Sequence, residues 1–269
     1  MVKVAILLRC HRRTWQLEGV LDQCLRGFPE VGICPHVILM PDRPTEEVKA
    51  IVAKWGENER VLVVEPKKVE GHRWAKTGMI GLNQGLDAME KAGIKPDWVH
   101  FRDDDEMLGI GWKTRLKKCL EDKDTLAWLA VSLYIWYDRA EESPAVNINQ
   151  MHYSPIFFRY VKGDRFPEDG RSTQVTDRIQ KRILRNKYRK RTLPFYLYDF
   201  GVTNYSQMDR EAMVKRMNEA GKDDGYTRAF VDEPVLVDLD KIIREDTPPL
   251  DMITYQLRRK GLLNEPIES

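Results

Sequence analysis

The segment WVHFRDDDE, residues 98–106, ends an apolar run with three aspartates and a glutamate. Like charges packed this closely repel, so the carboxylates are either solvated on a loop or grouped around a cation. Carboxylate oxygens suit Mg²⁺ or Mn²⁺, which also accept oxygens from a substrate diphosphate. On an extended backbone Asp103 and Asp105 point the same way and Asp104 the other. Taken alone, such a cluster is more often solvated surface. The surrounding sequence is needed to decide between a solvated loop and a cation site.

Alternating strands and helices precede this acidic cluster. Apolar, β-branched runs predict strands at residues 2–8, 36–40 and 60–65, with amphipathic helices between them. A longer helix is predicted over residues 76–91, followed by a fourth strand that leads into the cluster. This alternation predicts a parallel sheet covered by helices on both faces. Ligands of such sheets bind beyond the carboxyl ends of the strands, which is where the acidic cluster lies.

The composition is that of an ordinary globular protein. The chain has 269 residues, with 44 Lys and Arg against 42 Asp and Glu, and no linker-like tract interrupts it, so a single domain is predicted. The four cysteines lack zinc spacing and are expected to be reduced thiols. The apolar start MVKVAILL is too short for a signal peptide or a membrane span. We therefore expect a cytoplasmic protein with no membrane partner.

The order of these features resembles the GT-A fold nucleotide-sugar glycosyltransferases, particularly the family 2-like branch, over roughly residues 2–120. The family pattern is matched by the loop RCHRR after the first strand, by Asp42, by the helix segment GLNQGL, and by Asp103 with Asp105 as the DxD motif. The resemblance implies an α/β, Rossmann-like, mostly parallel sheet flanked by helices. Residues 121–246 would form a less regular acceptor-binding half, and residues 247–269 a terminal helix and tail.

The resemblance also implies roles for individual residues. Mn²⁺ or Mg²⁺ is implied at Asp103 and Asp105, with His152 as a further ligand. A nucleotide sugar is implied as the donor, with a UDP-sugar preferred. The residues implied to contact the donor are Arg9, His11, Asp42, Lys76, Asp103 and Asp104. The loop departs from the family's usual Thr-Tyr-Asn, which leaves the nucleotide open, and an exposed charge or turn residue is the alternative reading of Arg9, Lys76 and Asp42.

Glycosyl transfer requires neutralisation of charge on the leaving group. In an inverting enzyme it also requires a base at the acceptor hydroxyl. The reaction passes through an oxocarbenium-like state while a diphosphate leaves, so a bound metal would neutralise the departing charge. An inverting enzyme also needs a carboxylate that removes the acceptor's proton. The family has an acidic dipeptide at the start of a late helix, and its nearest match is Asp232 with Glu233, in reversed order. Asp223 and Asp224 are the alternative, and a retaining mechanism needs no such base.

Residues 178–191 contain eight Lys and Arg and no acidic residue, although the net charge of the chain is only +2. As a helix, this segment would present a basic face formed by Arg178, Lys181, Arg182, Arg185 and Arg189. A solvated face is one interpretation, but cations repel and favour a polyanion. The segment lacks the apolar face of a membrane-surface helix, so duplex DNA is the preferred partner. A sugar transferred to hydroxymethylated pyrimidines resembles the virus-encoded and base J-type DNA glycosyltransferases, and a viral protein would act in the host cytoplasm.

Three classes of function are compatible with the sequence. The prediction is a metal-dependent glycosyltransferase that transfers a hexose or pentose to a hydroxyl group, with a glycan, protein or small molecule as alternative acceptors. A nucleotidyltransferase that makes activated sugars is second, although the first strand is not followed by a Gly-rich phosphate loop. A nucleic-acid-binding protein with a degenerate transferase core is third, and it would keep its function without Asp103 and Asp105. The donor sugar, stereochemistry and oligomeric state are left open.

Overall fold

A computed structural model describes most of the first two thirds of the chain and short segments beyond. The described residues are 1–11, 13–67, 74–136, 145–147, 152–166, 190–199 and 236–238. The chain divides into two compact units. The first unit comprises Met1–Met107, Lys113–Ala130 and Ser154–Thr192, and the second comprises Leu108–Trp112, Val131–Tyr153 and Leu193–Ser269. The predicted single domain, with its boundaries near residues 120 and 246, stays a prediction.

Strands and helices alternate along the first half of the chain, as the apolar pattern predicts. In order they are β1 (Val2–Cys10), α1 (Trp15–Asp22), a π-helical segment (Gln23–Gly27), α2 (Phe28–Glu30), β2 (Ile33–Pro41), α3 (Glu46–Gly56), β3 (Val61–Val63), α4 (Trp74–Lys91), β4 (Trp98–Asp103), β5 (Glu106–Leu108) and α5 (Trp112–Glu121). The later elements are β6 (Ala127–Trp136), β7 (Ala145–Asn147), β8 (His152–Arg159), β9 (Lys190–Asp199) and β10 (Leu236–Asp238).

The sheet of the first unit is mostly parallel. β1 lies between β2 and β4, and both neighbours run parallel to it. β3 extends the sheet in parallel beside β2, while β8 pairs with β4 in the antiparallel direction. Residues 4–8 of β1 have no exposed surface, as expected for a strand covered on both faces. The predicted α/β class with a mostly parallel sheet is therefore confirmed.

Helix α4 packs against one face of this sheet. Its apolar side chains join those of three strands in a buried cluster that includes Leu7, Ile38, Met40, Leu82, Leu86, Met89, Val99 and Phe101. A Cβ atom at Gly85 would lie only 2.6 Å from the sulfur of Met40. The glycine of the GLNQGL segment therefore allows the helix to approach the sheet closely.

The opposite face is covered by the helical region that follows β1. This region has the apolar stripe of an amphipathic helix, and every residue of the stripe is buried, namely Leu17, Val20, Leu21, Cys24, Leu25 and Phe28. The region is one continuous amphipathic helix by pattern, but it includes a π-helical turn at Gln23–Gly27 that the pattern does not predict. At the next helix, the side chain of Thr45 accepts a hydrogen bond from the backbone N–H of Val48 and so caps the start of α3.

Helix α4 also holds the segment that follows β8. The amide of Asn83 accepts a hydrogen bond from the N–H of Phe166 at 2.7 Å and donates one to its carbonyl oxygen at 3.0 Å. About two turns further along, Glu90 accepts hydrogen bonds from Arg165, Tyr160 and the N–H of Gly163. The hydrogen bond from Arg165 is the main reason that the pKa of Glu90 falls to about 2. The GLNQGL segment therefore has a structural role in this unit.

The second unit contains an antiparallel arrangement. β7 pairs with the end of β6 on one side and with β10 on the other. The N–H of Gly109 donates to the carbonyl oxygen of Tyr196 at 2.8 Å, and the N–H of Ile110 donates to the Tyr198 hydroxyl at 3.3 Å. A Cβ atom at Gly109 would lie 2.6 Å from the Tyr198 ring, so the close approach requires glycine.

The start of β9 corrects one prediction. Residues 178–191 were expected to form one basic helix, but Lys190 and Arg191 belong to β9. The pattern TLPFYLY that follows is rich in strand-forming residues, and the strand extends back into the basic segment. Arg191 also pairs with Asp122 at 2.7 Å, so one of the eight cations is neutralised within the first unit.

His100 in β4 is a buried, neutral imidazole. It has no exposed surface, stacks on Phe157 with ring centroids 4.0 Å apart, and donates from Nδ1 to the carbonyl oxygen of Ile156 at 2.8 Å. Its Nε2 has no hydrogen-bond partner among the described residues. Burial, assisted by the charge of Arg102, lowers the pKa of His100 to about 3.

This imidazole makes the stability of the fold depend on pH. Because the pKa of His100 is lower in the folded chain, its contribution to stability is complete above pH 6.5 and is lost as the pH falls toward about 3. We expect wild-type unfolding free energy to fall by about 1.4 kcal/mol more per pH unit in this window than that of His100→Phe. Urea titrations at about pH 5.5 and about pH 4, both inside this window, measure the two slopes. Equal slopes for both proteins would contradict this assignment.

Candidate functional site

The acidic cluster lies at the carboxyl end of the central part of the sheet. β4 ends at Asp103, residues 104–105 form a turn, and β5 begins at Glu106. The predicted position at a strand end is confirmed, but the backbone is extended only as far as Asp103. The extended backbone on which Asp103 and Asp105 would point the same way is therefore interrupted at residues 104–105, because the chain reverses there into β5.

Arg9 is the immediate partner of Asp103. The two residues lie opposite each other in the parallel pairing of β1 and β4. Arg9 donates to Oδ1 of Asp103 from Nε at 3.0 Å and from Nη2 at 2.7 Å. The guanidinium also lies over the Phe101 ring, 5.2 Å from its centroid. A residue predicted to contact the donor thus neutralises the first carboxylate of the DxD motif.

Arg13 plays the corresponding role for the second carboxylate. Its Nη1 donates to Oδ2 of Asp105, and the two side chains are 25% and 12% exposed. Arg13 belongs to the RCHRR loop but was not among the predicted site residues. The pair joins residues 92 positions apart, so only the three-dimensional arrangement of β1 and β4 reveals it.

His11 connects the first loop to two other predicted site residues. Its backbone N–H donates to Oδ2 of Asp104 at 2.9 Å, and its ring Nδ1 lies 2.5 Å from the carbonyl oxygen of Asp42. The N–H of Asp42 in turn donates to the carbonyl oxygen of Cys10 at 2.9 Å. The structure therefore brings together the ends of β1, β2 and β4, and with them Arg9, His11, Asp42, Asp103, Asp104 and Asp105.

Glu106 closes the acidic turn. Its carboxylate accepts a hydrogen bond from the backbone N–H of Asp103 at 3.1 Å, so it braces the turn instead of adding a further ligand at the site. In the sequence it is the fourth acidic residue of the cluster and gives no sign of this separate role. The turn that carries Asp104 and Asp105 is thus fixed by a residue from the same cluster.

The electrostatics of the cluster favour additional positive charge. Burial, followed by repulsion from Asp105, raises the pKa of Asp104 to about 7. Burial also raises the pKa of Asp105, while Arg13 acts in the opposite direction and Asp103 adds repulsion. Carboxyl groups in this state are stabilised as carboxylates when a cation approaches.

The donor set suits Mn²⁺ or Mg²⁺ chemically, since carboxylate oxygens are the ligands that both ions prefer. Within the described part of the chain, no group of three or more His, Cys, Asp or Glu side chains is arranged to hold a metal. Asp103 and Asp105 contact arginines in this structure. The predicted third ligand, His152, begins β8, but its side chain lies outside the described residues. The metal site therefore stays a prediction.

The side chains of the remaining predicted site residues lie outside the part of the chain that the structure describes. Lys76 lies in α4, and its side chain is outside the described residues. The candidate bases and most of the basic segment also lie outside them, namely Asp223, Asp224, Asp232, Glu233, Arg178, Lys181, Arg182, Arg185 and Arg189. The four cysteines are free thiols, as predicted. Among the helices that the structure describes, none combines the length and apolar character that a membrane span requires.

Comparison with solved structures gives similarities at low sequence identity. S. aureus TarS is 18% identical with a TM-score of 0.46, and the match covers 86% of this chain and 42% of TarS. This chain therefore spans less than half the length of that protein. TarS residues 1–349 have also been solved in complex with UDP-GlcNAc, at 16% identity and a TM-score of 0.43, with 86% of this chain and 70% of that one covered.

Two further similarities have comparable scores. The mannosyltransferase PcManGT from Pyrobaculum calidifontis, in complex with GDP-Man and Mn²⁺, is 14% identical with a TM-score of 0.48, covering 82% of this chain and 64% of that one. Glucosyl-3-phosphoglycerate synthase from Mycobacterium tuberculosis, in complex with Mn²⁺ and UDP-Glc, is 13% identical with a TM-score of 0.45, covering 83% and 81%. No protein-family model matches the chain, and no curated protein matches it.

Proposed function

We propose that this chain is a metal-dependent glycosyltransferase that moves a sugar from a nucleotide-sugar donor to a hydroxyl acceptor. The observation that carries the proposal is the grouping of Asp103, Asp104 and Asp105 with Arg9 and Arg13 at the carboxyl end of the parallel sheet. Ligands of parallel α/β sheets bind at this edge. Carboxylates that hold a cation, with guanidinium groups beside them, are suited to a diphosphate.

Each group has a defined task in this proposal. Asp103 and Asp105 hold Mn²⁺ or Mg²⁺ through their carboxylate oxygens, with His152 as a further ligand. The bound ion supplies a Lewis acid that neutralises charge on the departing diphosphate. Arg9 and Arg13 contribute positive charge at the same strand ends. The nucleoside and diphosphate contacts are assigned to His11, Asp42, Asp104 and Lys76.

The acceptor side of the proposal depends on a carboxylate base. For an inverting reaction we assign this role to Asp232 or Glu233, which would remove the proton from the acceptor hydroxyl as the new bond forms. Asp223 and Asp224 are the second choice. A retaining reaction would need none of these four carboxylates as a base, so replacing each of them by its amide separates the two outcomes.

The proposal is tested by a panel of nucleotide sugars. UDP-glucose, UDP-GlcNAc, GDP-mannose and their parent diphosphates are added with Mn²⁺ or with EDTA, and the melting temperature is recorded. Binding at a hundred times the dissociation constant stabilises a protein by about 2.7 kcal/mol, which corresponds to a shift of about 5 °C or more. We expect such a shift for at least one nucleotide sugar in Mn²⁺ and none in EDTA. A larger shift with UTP or CTP than with every nucleotide sugar would favour the nucleotidyltransferase.

The acceptor is proposed to be a hydroxymethylated pyrimidine in duplex DNA, and this proposal is supported only by the basic residues 178–191. If about four to six phosphates are contacted, the logarithm of DNA affinity should fall with the logarithm of salt concentration at a slope of about four to five. Reversing the charge of both Arg182 and Arg185 should weaken binding to all sequences and reduce that slope. Fluorescence anisotropy at several salt concentrations measures both quantities.

A matched control is charge reversal at Lys49 and Lys54, two exposed cations of helix α3, which should leave DNA binding unchanged. If no DNA binding is found at low salt, the DNA acceptor is excluded. The glycosyltransferase proposal would then stand with a glycan, protein or small molecule as the acceptor.

A further inference from the structure

Arg102 is a buried cation directly before the acidic turn. Its side chain has no exposed surface. It donates from Nε to the carbonyl oxygen of Glu106 at 2.5 Å, from Nη1 to the sulfur of Cys24 at 3.3 Å, and from Nη2 to the amide oxygen of Gln23. All three acceptors are uncharged groups. A buried guanidinium is costly to desolvate, so its arrangement needs an explanation beyond packing.

The acceptors from the helical region coincide with its π-helical turn. Gln23 and Cys24 are the first two residues of the segment Gln23–Gly27. Consecutive side chains of a regular α-helix leave its axis about 100° apart. In this segment both side chains reach the same guanidinium. π-helical turns inside α-helices are frequent at functional sites. The side chains of this one accept two hydrogen bonds from Arg102.

The other end of Arg102 acts on the acidic turn. Glu106 receives the Nε–H of Arg102 at its backbone carbonyl oxygen and the N–H of Asp103 at its carboxylate. These two hydrogen bonds close the turn that carries Asp104 and Asp105 from both ends. The side chain of Arg102 thus links Gln23 directly to the acidic turn.

We infer that Arg102 is a positioning residue for the acidic turn, and that Gln23 and Cys24 hold Arg102 in place. The inference rests on the proposed function, because it states that this support orients Asp103 and Asp105 toward a divalent cation. Groups that orient the ligands of a metal without touching it affect metal affinity about 10- to 100-fold. The support reaches the site from the face of the sheet opposite to α4.

The experiment weakens the support without altering any carboxylate. Gln23→Met keeps the length of the side chain and removes the acceptor of Arg102, while Gln23→Glu keeps an acceptor. Mn²⁺ affinity is measured by electron paramagnetic resonance of free Mn²⁺, in the presence of UDP. We expect Gln23→Met to bind Mn²⁺ about tenfold more weakly than wild type and Gln23→Glu to bind it as wild type does.

Two further variants exclude general loss of stability. Val48→Ala removes buried apolar volume in helix α3 and should lower the melting temperature without changing Mn²⁺ affinity. Cys24→Ala removes the second acceptor and should weaken Mn²⁺ binding severalfold, which tests the inference if Gln23→Met does not fold. Wild-type Mn²⁺ affinity in Gln23→Met or in folded Cys24→Ala would overturn the inference. A loss of Mn²⁺ affinity in Val48→Ala equal to that in Gln23→Met would also overturn it. Both outcomes would leave the proposed function intact. Absence of Mn²⁺ binding by the wild-type protein would overturn both.

Discussion

Replacing Asp105 by asparagine is expected to reduce sugar transfer about a thousandfold, because it removes a ligand of the ion that neutralises the leaving diphosphate. The fold should be little affected. Burial already disfavours the charged form of Asp105 by raising its pKa, and an asparagine oxygen can still accept the hydrogen bond from Arg13. Transfer from the nucleotide sugar identified by thermal shift, followed as released UDP or GDP, measures the effect.

A matched control for this variant is Asp87→Asn. Asp87 is a carboxylate of helix α4 that pairs with Arg165, and its side chain is 62% exposed. Its neutralisation changes the net charge by the same amount as Asp105→Asn and should leave turnover unchanged. Wild-type turnover in Asp105→Asn would show that the DxD motif is not required for catalysis.

Replacing Asn83 by leucine should lower the free energy of unfolding by about 3 kcal/mol. Leucine is similar in size but removes both hydrogen bonds to Phe166 and leaves a buried backbone N–H and carbonyl oxygen without these partners. Asn83→Asp keeps the acceptor and loses the donor, so its effect should be intermediate. Urea unfolding followed by far-UV circular dichroism measures all three proteins.

The neighbouring position provides the control for this substitution. Gln84 accepts a hydrogen bond from the N–H of Lys67 at 2.7 Å in an exposed setting. Gln84→Leu should therefore cost about 0.5 kcal/mol or less. A loss in Asn83→Leu no greater than this would show that the segment after β8 is held by other contacts.

The apolar patterns of the sequence predicted much of the first unit. The strand at residues 2–8 extends two residues further, to Cys10, and the helix predicted from residue 76 begins at Trp74. Such patterns report burial directly, since a strand covered on both faces must be apolar throughout. The same reasoning placed the acidic cluster at the end of β4, where the structure has it.

The contacts that organise the site depend on residues far apart in the chain. Arg13 and Asp105 are 92 positions apart, and Arg102 is 79 positions from Gln23. No local pattern links such residues, because their proximity arises only when β1 pairs with β4 and the helical region after β1 packs against β4. The π-helical turn likewise has no apolar period of its own, so the segment reads as an ordinary amphipathic helix.

The GLNQGL segment shows how a motif can be assigned a different role by structure. In the sequence it supports a resemblance to nucleotide-sugar enzymes. In the structure Asn83 holds a backbone segment and Gly85 allows close packing on Met40. Both roles require the tertiary partner, Phe166 in one case and β2 in the other, and neither partner is identifiable from local sequence.

A divalent cation and a nucleoside diphosphate are expected to bind together at Asp103 and Asp105. The decisive measurement is isothermal titration of UDP and GDP into the wild-type protein, once with Mn²⁺ and once with EDTA. We expect at least one nucleotide to bind about tenfold or more tightly with Mn²⁺, and Asp105→Asn to lose this difference. Equal nucleotide affinity in Mn²⁺ and in EDTA would contradict the claim.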